Sequence, residues 1–311
     1  MNPSLYSRID AYLKYNLKDQ NCKKFLFDFE SYKKNDFQRY KNEISFDNLV
    51  ANNELLSIIV NDDVNKLIEY VDSDSYKTKT TKNDKVFSIP YYLRKSKEII
   101  EIACYFGSIN CLNHLLENYI AKRNSNLQYY AIQSGNLEII RILDEKGFDF
   151  IDYLQYACYF HQNDIFFWIL NEKKHLIFNK INLFNKCLIE CAKSDNLKLF
   201  VYCLDSKANI SYCDDQKRNC LSYACEYNNE EIVYICLETK SSISNKKDIS
   251  GSTPLHHAVR NYHKNIVEIL LSFKDVDLTI KDSFEKTAFD YANDEIKDIF
   301  LANEKLKQSC E

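Results

Sequence analysis

Cysteine and histidine are the residue types in this chain best suited to act as nucleophiles or metal ligands. The sequence has 12 cysteines and 6 histidines, but it has no Cys-x-x-Cys pair, and a structural zinc site needs four ligands that converge tetrahedrally. Cys187 and Cys191 lie one helical turn apart and could share a metal ion, yet no pair of His or Cys residues at a matching spacing lies nearby. The spacing predicts no metal and no cofactor.

A cysteine nucleophile needs an adjacent base that lowers the pKa of its thiol. The one dense histidine group in the sequence is His256, His257 and His263. The four glycines are isolated from one another, so no glycine-rich loop can cradle a phosphate; they are Gly107, Gly135, Gly147 and Gly251. We predict that the chain is not an enzyme. A thiol- or metal-dependent hydrolase that uses Cys187, Cys191 or the histidine group is an alternative.

Composition limits the elements that could position any site. Of the 311 residues 45% are hydrophobic, which is enough to bury a core, but only four are glycine and three are proline. So few turn residues argue against a β-sandwich and favour helices joined by polar turns. The 41 basic residues against 45 acidic ones give a net charge of −4, which predicts neither nucleic-acid nor membrane binding.

The N-terminal segment and the lengths of the apolar stretches predict the cellular location of the protein and the redox state of its thiols. Arg8 and Asp10 interrupt the N-terminal segment where a signal peptide would be apolar, and the longest apolar stretches, such as residues 165–170, are far short of the roughly 20 residues that span a bilayer. We therefore expect a soluble cytoplasmic protein with reduced thiols.

An internal repeat of 34 residues organises the C-terminal third. Asp214, Asp248 and Asp282 are in register, as are the small residues Ala224, Ala258 and Ala292, and apolar pairs such as Ile232-Val233 and Ile266-Val267 follow eight and nine residues after the small residue. We call that small residue the anchor of a unit. Four more anchors with such a pair occur upstream, at Ala103, Ala131, Ala157 and Ala192, and the spacings from Ala103 onward are 28, 26, 35, 32, 34 and 34 residues.

The unit from Asp248 through Gly251, Thr253-Pro254-Leu255-His256 and Ala258 resembles the ankyrin repeat, whose pattern is Asp-x-x-Gly-x-Thr-Pro-Leu-His-x-Ala followed by Ile-Val and Leu-Leu pairs. The resemblance implies an all-α fold, an α-solenoid of stacked helix-turn-helix units. It covers about two thirds of the chain. The two shortest intervals lack about seven residues each, so we expect those units to have no projecting β-turn finger, as in degenerate ankyrin-like families of some parasitic protists.

These observations predict four segments. Residues 1–90 form an N-terminal helical cap, with one possible worn repeat around Ile59, Leu67, Ile68 and Val71 and a polar loop at 73–88. Residues 91–180 form finger-less degenerate repeats. Residues 181–302 form ankyrin repeats, and residues 303–311 form a polar tail.

Several residues have a structural role in this scheme. Thr253 and Pro254 suit the N-cap and first position of a helix, and Leu255 and Ala258 share its apolar face. The resemblance implies that His256 hydrogen-bonds the Thr253 hydroxyl and nearby backbone. Cys104, Cys158 and Cys225 each follow an anchor, where a cysteine is a small buried hydrophobe. Tyrosines directly before the anchors, Tyr130, Tyr156, Tyr223 and Tyr291, are expected to pack between units rather than to stack on bases.

In ankyrin repeats the side chains two and three residues after the anchor point into a concave groove. The aromatic residues at those places, which we predict to bind a partner, are Tyr105, Phe106, Tyr159, Phe160 and Tyr227. Arg260 and Asn261 hold the same places in the best unit, and Phe284 and Lys286 lie at the next finger tip. Alternatively, the cap or the 73–88 loop covers the aromatic residues and makes them part of the core.

The resulting functional prediction is a monomeric, non-catalytic scaffold or adaptor that holds another protein in its concave groove. A substrate-recruiting or regulatory subunit of an enzyme complex, such as a ubiquitin ligase, is the alternative of the same general kind.

Overall fold

The computed structural model describes residues 54–72, 99–118, 126–173 and 181–309. The described residues fall into two compact units, 54–149 and 150–309, and each is presented by itself. Most of the predicted N-terminal cap, including the 73–88 loop, lies outside the described residues, so the predicted segment boundaries stay a prediction.

The described residues of the unit 54–149 form three helix pairs: α1 (Glu54–Val60) with α2 (Val64–Asp72), α3 (Ile99–Phe106) with α4 (Ile109–Asn118), and α5 (Leu127–Ser134) with α6 (Leu137–Glu145). First helices pack on first helices, α1 on α3 and α3 on α5, and α2 packs on α4. Of the residues proposed for a worn repeat, Ile59, Leu67 and Val71 are buried, whereas Ile68 is exposed.

The unit of residues 150–309 continues the helix-turn-helix pattern. Its helices are α7 (Leu154–Tyr159), α8 (Asn163–Glu172), α9 (Ile181–Ser194), α10 (Leu197–Asp205), α11 (Cys220–Glu226), α12 (Glu230–Lys240), α13 (Pro254–Arg260), α14 (Lys264–Ser272) and α15 (Asp294–Ser309). Helices α7, α9, α11 and α13 pack in chain order, as do α10, α12, α14 and α15. The predicted all-α repeat solenoid is confirmed, and the only bridge pairing in the described residues is an isolated one between Lys281 and Thr287.

The last repeat departs from the others. Its first helix is a single 3₁₀ turn at Phe289–Tyr291, and its second helix, α15, runs to Ser309 through most of the segment predicted as a polar tail. Between α6 and the 3₁₀ turn at Ile151–Tyr153 only five residues remain, which is too short for a finger.

In the repeats before the last, a left-handed residue marks the turn between the two helices, four residues after the anchor. Gly107, Gly135, His161, Asn228 and Tyr262 all have φ between 57° and 75° at this place. This conformation ends the first helix and is usually adopted by glycine. In the compact unit of residues 150–309, non-glycine residues adopt it instead.

This turn corrects one predicted anchor. In the unit formed by α9 and α10 the left-handed residue is Asp195, with φ of 60°, which places the anchor at Cys191 rather than Ala192. The apolar pair eight and nine residues later is then Leu199-Phe200, both fully buried, whereas Val201 of the predicted pair is half-buried. The adjacent Ala192, also buried, hid the shift of one residue.

A ladder of polar side chains supports the corrected register. The residue five places after an anchor donates to the carbonyl one place after the preceding anchor: Asn196 Nδ2 to Cys158 O at 3.0 Å, and Asn229 Nδ2 to Ala192 O at 2.6 Å. Ser108 Oγ makes the equivalent bond to Ile59 O at 2.6 Å in the other unit. Because these groups are buried, each bond satisfies a carbonyl that has no access to water.

Candidate functional site

Three finger turns precede the first helices of the last three repeats, at residues 214–218, 248–252 and 282–286. Each is closed by a backbone bond from its aspartate to the residue four places on: Asp214 N to Arg218 O at 3.0 Å, Asp248 N to Ser252 O at 2.9 Å and Asp282 N to Lys286 O at 2.9 Å. Neighbouring fingers pair through Ile249 N to Gln216 O at 3.1 Å and Ser283 N to Ser250 O at 3.0 Å. The fingers therefore form a connected row.

One carboxylate oxygen of each finger aspartate holds the turn itself. Oδ1 accepts the backbone N–H groups two and four residues later, at 2.8 to 3.2 Å in all three fingers: Gln216 and Arg218, Ser250 and Ser252, and Phe284 and Lys286. Burial alone would raise the pKa of Asp248, but the hydrogen bonds from Ser250 and Ser252 outweigh it and lower the pKa. The finger at 248–252 is thus closed around an ionised carboxylate.

The other oxygen ties the finger to its helix. Oδ2 accepts from the side chain nine residues later, which is Tyr223 Oη at 2.6 Å for Asp214, His257 Nε2 at 2.9 Å for Asp248 and Tyr291 Oη at 2.7 Å for Asp282. Burial, and then the charge of Arg218, lowers the pKa of His257, so the neutral imidazole is the donor. This network was missed at the sequence level, although the 9-residue spacing is visible once the fingers are aligned.

Two arginines connect consecutive fingers. Arg218 in the first finger donates to Asp248 Oδ2 at 3.3 Å and to Glu226 Oε2 at 2.7 Å. Arg260 at the end of α13 donates to Ser252 Oγ at 2.8 Å, pairs with Asp282 and lies 4.2 Å from the ring centroid of Tyr291. Arg260 was predicted to contact a partner, and that contact stays a prediction; in the structure its guanidinium pairs with the neighbouring finger.

The buried His256 links helix α13 to the finger at 282–286. Its Nδ1 accepts the backbone N–H of Thr253 at 3.2 Å and lies 2.8 Å from the Thr253 hydroxyl, while Nε2 lies 3.2 Å from Lys286 O. With Nδ1 as acceptor, Nε2 carries the proton and donates to the carbonyl of the next finger. Pro254 begins α13, and Leu255 and Ala258 are buried beneath it.

Large apolar side chains are exposed at both ends of the first helices. At the finger tips Ile249 is 60% exposed and Phe284 is 74% exposed; at the opposite, inner-turn ends Tyr227 is 53% exposed and Tyr262 is 60% exposed. Tyr262 and Ile249 were not predicted. Tyr262 could have been found, because it occupies the left-handed position that glycine fills at Gly107 and Gly135.

The remaining predicted partner residues are less exposed or already bonded. Tyr159 is exposed and meets half-buried Phe160 edge to face at 5.2 Å. Tyr105 and Phe106, in the other compact unit, are half-buried and meet at 5.0 Å. Asn261 donates to His257 O at 2.9 Å, and the Lys286 ammonium lies 5.2 Å from the Tyr291 ring centroid.

The cysteines of the described residues are all free thiols. Cys158 and Cys203 are buried and interact with Cys187 and Cys191, which seemed isolated in the sequence. Burial raises the pKa of Cys158, Cys187 and Cys191, whereas interaction with these three thiols lowers the pKa of Cys203. No group of three or more His, Cys, Asp or Glu residues in the described parts of the chain is arranged to hold a metal ion.

Comparisons with known proteins agree with this architecture. A family model described as ankyrin repeats, in three copies, matches residues 188–282. The chain is 31% identical over 88 residues to Rabankyrin-5 of Mus musculus, and 31% identical over 86 residues to the ankyrin repeat-containing protein C6C3.08 of Schizosaccharomyces pombe. Each alignment covers 27% of this chain, and they cover 7% and 37% of those relatives.

Ankyrin repeats in general mediate protein–protein interaction and are typically non-catalytic. Within residues 54–72, 99–118, 126–173 and 181–309, no helix combines the length and apolar character needed to cross a membrane.

Proposed function

Because the chain is an ankyrin-repeat protein, we propose that it is a non-catalytic scaffold or adaptor that binds a partner protein on what we call the finger surface. The finger surface comprises the turns at 214–218, 248–252 and 282–286, the helices α11 and α13, and the inner turns that follow these helices. The single observation that carries the proposal is the periodic aspartate network, which fixes three fingers beside exposed aromatic residues.

Pre-organisation is the physical reason why such a network favours binding. Each finger is bonded to its own backbone through Oδ1 and to its helix through Oδ2 of one aspartate, and Arg218 and Arg260 bind the next finger. Loops that are already ordered lose less conformational entropy when a partner binds. The network therefore supports a recognition surface.

Affinity is assigned to the exposed apolar residues at the two edges of this surface. Tyr227 and Tyr262 lie at the inner-turn edge, and Ile249 and Phe284 lie at the finger-tip edge. Aromatic anchors of this kind carry most of the binding energy in protein interfaces, with losses of about 2 kcal/mol or more upon truncation. The paired charges between the edges contribute orientation and selectivity more than affinity.

This assignment changes how much each predicted residue is expected to contribute to binding. Tyr227 and Phe284 stay as principal contacts, and Tyr159, Phe160 and Asn261 stay as secondary ones. Arg260 and Lys286 act by positioning the last finger, through Asp282 and Tyr291. Tyr105 and Phe106 would belong to a separate contact on the other compact unit.

Affinity capture from native lysate tests the proposal. The intact protein is compared with a Tyr227→Ala/Phe284→Ala variant and with Ile68→Ala, a matched control that truncates an exposed apolar residue of the other unit. Circular dichroism and urea unfolding first establish that all three fold equally. We expect a stoichiometric partner that the double variant loses and the control retains. Equal capture by all three proteins would refute binding on the finger surface.

A further inference from the structure

Exposed lysines are concentrated on the three fingers and on the residues directly before them. Residues 214–218, 246–252 and 281–286 carry more exposed lysines than exposed carboxylates, although the whole chain has 45 acidic and 41 basic residues. The exposed lysines, which we call the finger lysines, are Lys217, Lys246, Lys247, Lys281 and Lys286, and the exposed acidic residues are Asp215 and Glu285. The finger-tip edge of the finger surface therefore has an excess of positive charge.

The finger lysines are not paired within the described parts of the chain. None of them lies within ion-pair distance of a carboxylate there, whereas Lys66, Lys193 and Lys264 do. Lys247 and Lys281 each stand directly before a finger aspartate, so they hold equivalent positions in neighbouring repeats. Their side chains are therefore available to a carboxylate of another molecule.

Asp290 is an acidic neighbour of two finger lysines. Hydrogen bonds from Thr287, and then the charges of Lys286 and Lys281, lower the pKa of Asp290. Oδ2 of this carboxylate accepts the backbone N–H of Thr287 at 2.7 Å and its hydroxyl at 2.8 Å. Asp290 thus offsets part of the positive charge while its own turn uses one of its oxygens.

The finger lysines stand next to the exposed apolar residues of the same edge. Ile249, which is 60% exposed, follows Lys247 by two residues, and Phe284, which is 74% exposed, follows Lys281 by three. Apolar anchors inside a charged rim are the usual composition of a protein interface. A segment that places an apolar side chain on Phe284 would bring its neighbouring residues to the lysines.

The inner-turn edge of the surface has the opposite charge. Glu230 and Glu231 begin helix α12, and their charges add to the effect of burial in raising the pKa of Asp195 in the turn of the preceding repeat. A long polyanion, such as a nucleic acid or an anionic membrane surface, would be repelled along this edge. A short acidic segment of a protein can stay on the fingers and avoid it.

We propose that the finger surface binds an acidic segment of its partner protein, in which carboxylates face Lys247 and Lys281 and an apolar side chain contacts Phe284. This inference rests on the proposed function and adds the chemistry of the partner. The apolar contact supplies most of the affinity, and the complementary charges supply specificity and speed of association. Because the lysines are exposed, their contribution weakens as the salt concentration rises.

Selection of phage-displayed random dodecapeptides on the full chain tests this proposal. We expect enrichment of peptides that are rich in Asp and Glu and contain a large apolar residue. Lys247→Glu/Lys281→Glu should weaken the binding of these peptides by about 10-fold or more. The matched control is Lys66→Glu/Lys146→Glu, which reverses the charge of two exposed lysines of the other compact unit and should leave peptide binding unchanged.

Folding of the variants is checked by circular dichroism. If the charge reversal unfolds the chain, Lys247→Gln/Lys281→Gln serves as the second variant, with an expected loss of about 3-fold or more. The proposal is overturned if acidic peptides are not enriched, or if they bind a folded lysine variant as tightly as the unaltered protein. It is also overturned if single-stranded DNA binds as tightly as the peptides and loses affinity with the lysine variant.

The Tyr227→Ala/Phe284→Ala variant separates failure of this proposal from failure of the proposed function. Neutral or basic peptides that lose affinity with this variant, and not with the lysine variant, would overturn the acidic partner and leave the finger surface as the binding site. If the selected peptides are insensitive to both variants and capture from lysate is equal for all proteins, both proposals fail.

Discussion

The hydroxyl of Tyr223 donates to Asp214 Oδ2 at 2.6 Å and thereby joins the first finger to helix α11. Among the described residues no second group donates to this oxygen. The equivalent oxygen of Asp282 receives both the Tyr291 hydroxyl and the Arg260 guanidinium. The same tyrosine–aspartate pair therefore occurs once without a cation bonded to the carboxylate oxygen and once with one.

Removal of the two hydroxyls should accordingly have unequal costs. Tyr223→Phe leaves a half-buried carboxylate oxygen without its donor and should lower the free energy of unfolding by about 1.5–3 kcal/mol, the range for hydrogen bonds to charged groups. Tyr291→Phe should cost about 0.5–1.5 kcal/mol, because Arg260 still satisfies Asp282. Urea unfolding measures both. Equal costs would mean that the cation does not compensate.

Substitution of Gly251 should destabilise the fold because the backbone of the next finger leaves no room for a Cβ atom. It has φ of 74°, and a Cβ built on it would lie 2.9 Å from the backbone nitrogen of Ser283 in the next finger. Gly147 has φ of 88° and no atom within 4 Å of such a Cβ. Gly147→Ala should therefore cost only the left-handed penalty of about 1 kcal/mol.

Gly251→Ala adds a backbone clash to that penalty and should cost clearly more, about 2–4 kcal/mol. The measurement is the urea midpoint at constant m-value. If the two substitutions shift the midpoint equally, the contact between the fingers at 248–252 and 282–286 is not rigid.

Asp195 should make stability depend on pH. Burial, followed by the charges of Glu231 and Glu230, raises the pKa of Asp195 from 3.8 to about 7, and its Oδ1 is buried with no hydrogen-bond partner. The folded state thus holds a proton between about pH 4 and 7 that the unfolded chain releases. The protonated carboxyl stabilises the fold below this window, and the advantage is lost as the pH rises through 7.

Asp195→Asn removes the titration and keeps a residue type that tolerates the left-handed conformation. At about 1.4 kcal/mol for each unit of pKa shift, the substitution should raise the free energy of unfolding by roughly 2–4 kcal/mol at pH 8 and by little at pH 4. Asp205→Asn, at an exposed carboxylate at the end of α10, is the control and should have no such effect. A gain that is independent of pH would contradict the assignment.

The repeat pattern predicts the fold well because it reports buried positions. The anchors, the apolar pairs and the Thr253-Pro254 helix start could all be read from spacing, and the structure places them in the core or at the helix start. The register of the α9 unit could not, because Cys191 and Ala192 are both small and buried. The left-handed Asp195 and the hydrogen bonds of Asn196 and Asn229 separate them.

The candidate site was harder to predict, because exposure and pairing depend on neighbours that are distant in the chain. Arg260 was predicted as an exposed groove residue, yet Asp282, 22 residues later, pairs with it. Tyr262 and Ile249 are exposed because they occupy turns, where no apolar periodicity marks them. Sequence spacing thus indicates which turns and helices carry the candidate side chains, but not which of these side chains are already paired.

Two leucines in helices α14 and α15 differ in burial and allow a final prediction about stability. Leu270 is fully buried between repeats, so Leu270→Ala should cost about 2–5 kcal/mol through lost apolar burial and a cavity. Leu301 is 46% exposed, so Leu301→Ala should cost less than about 1 kcal/mol. Urea unfolding at constant m-value measures both costs, and a cost for Leu301→Ala as large as that for Leu270→Ala would contradict the difference in burial.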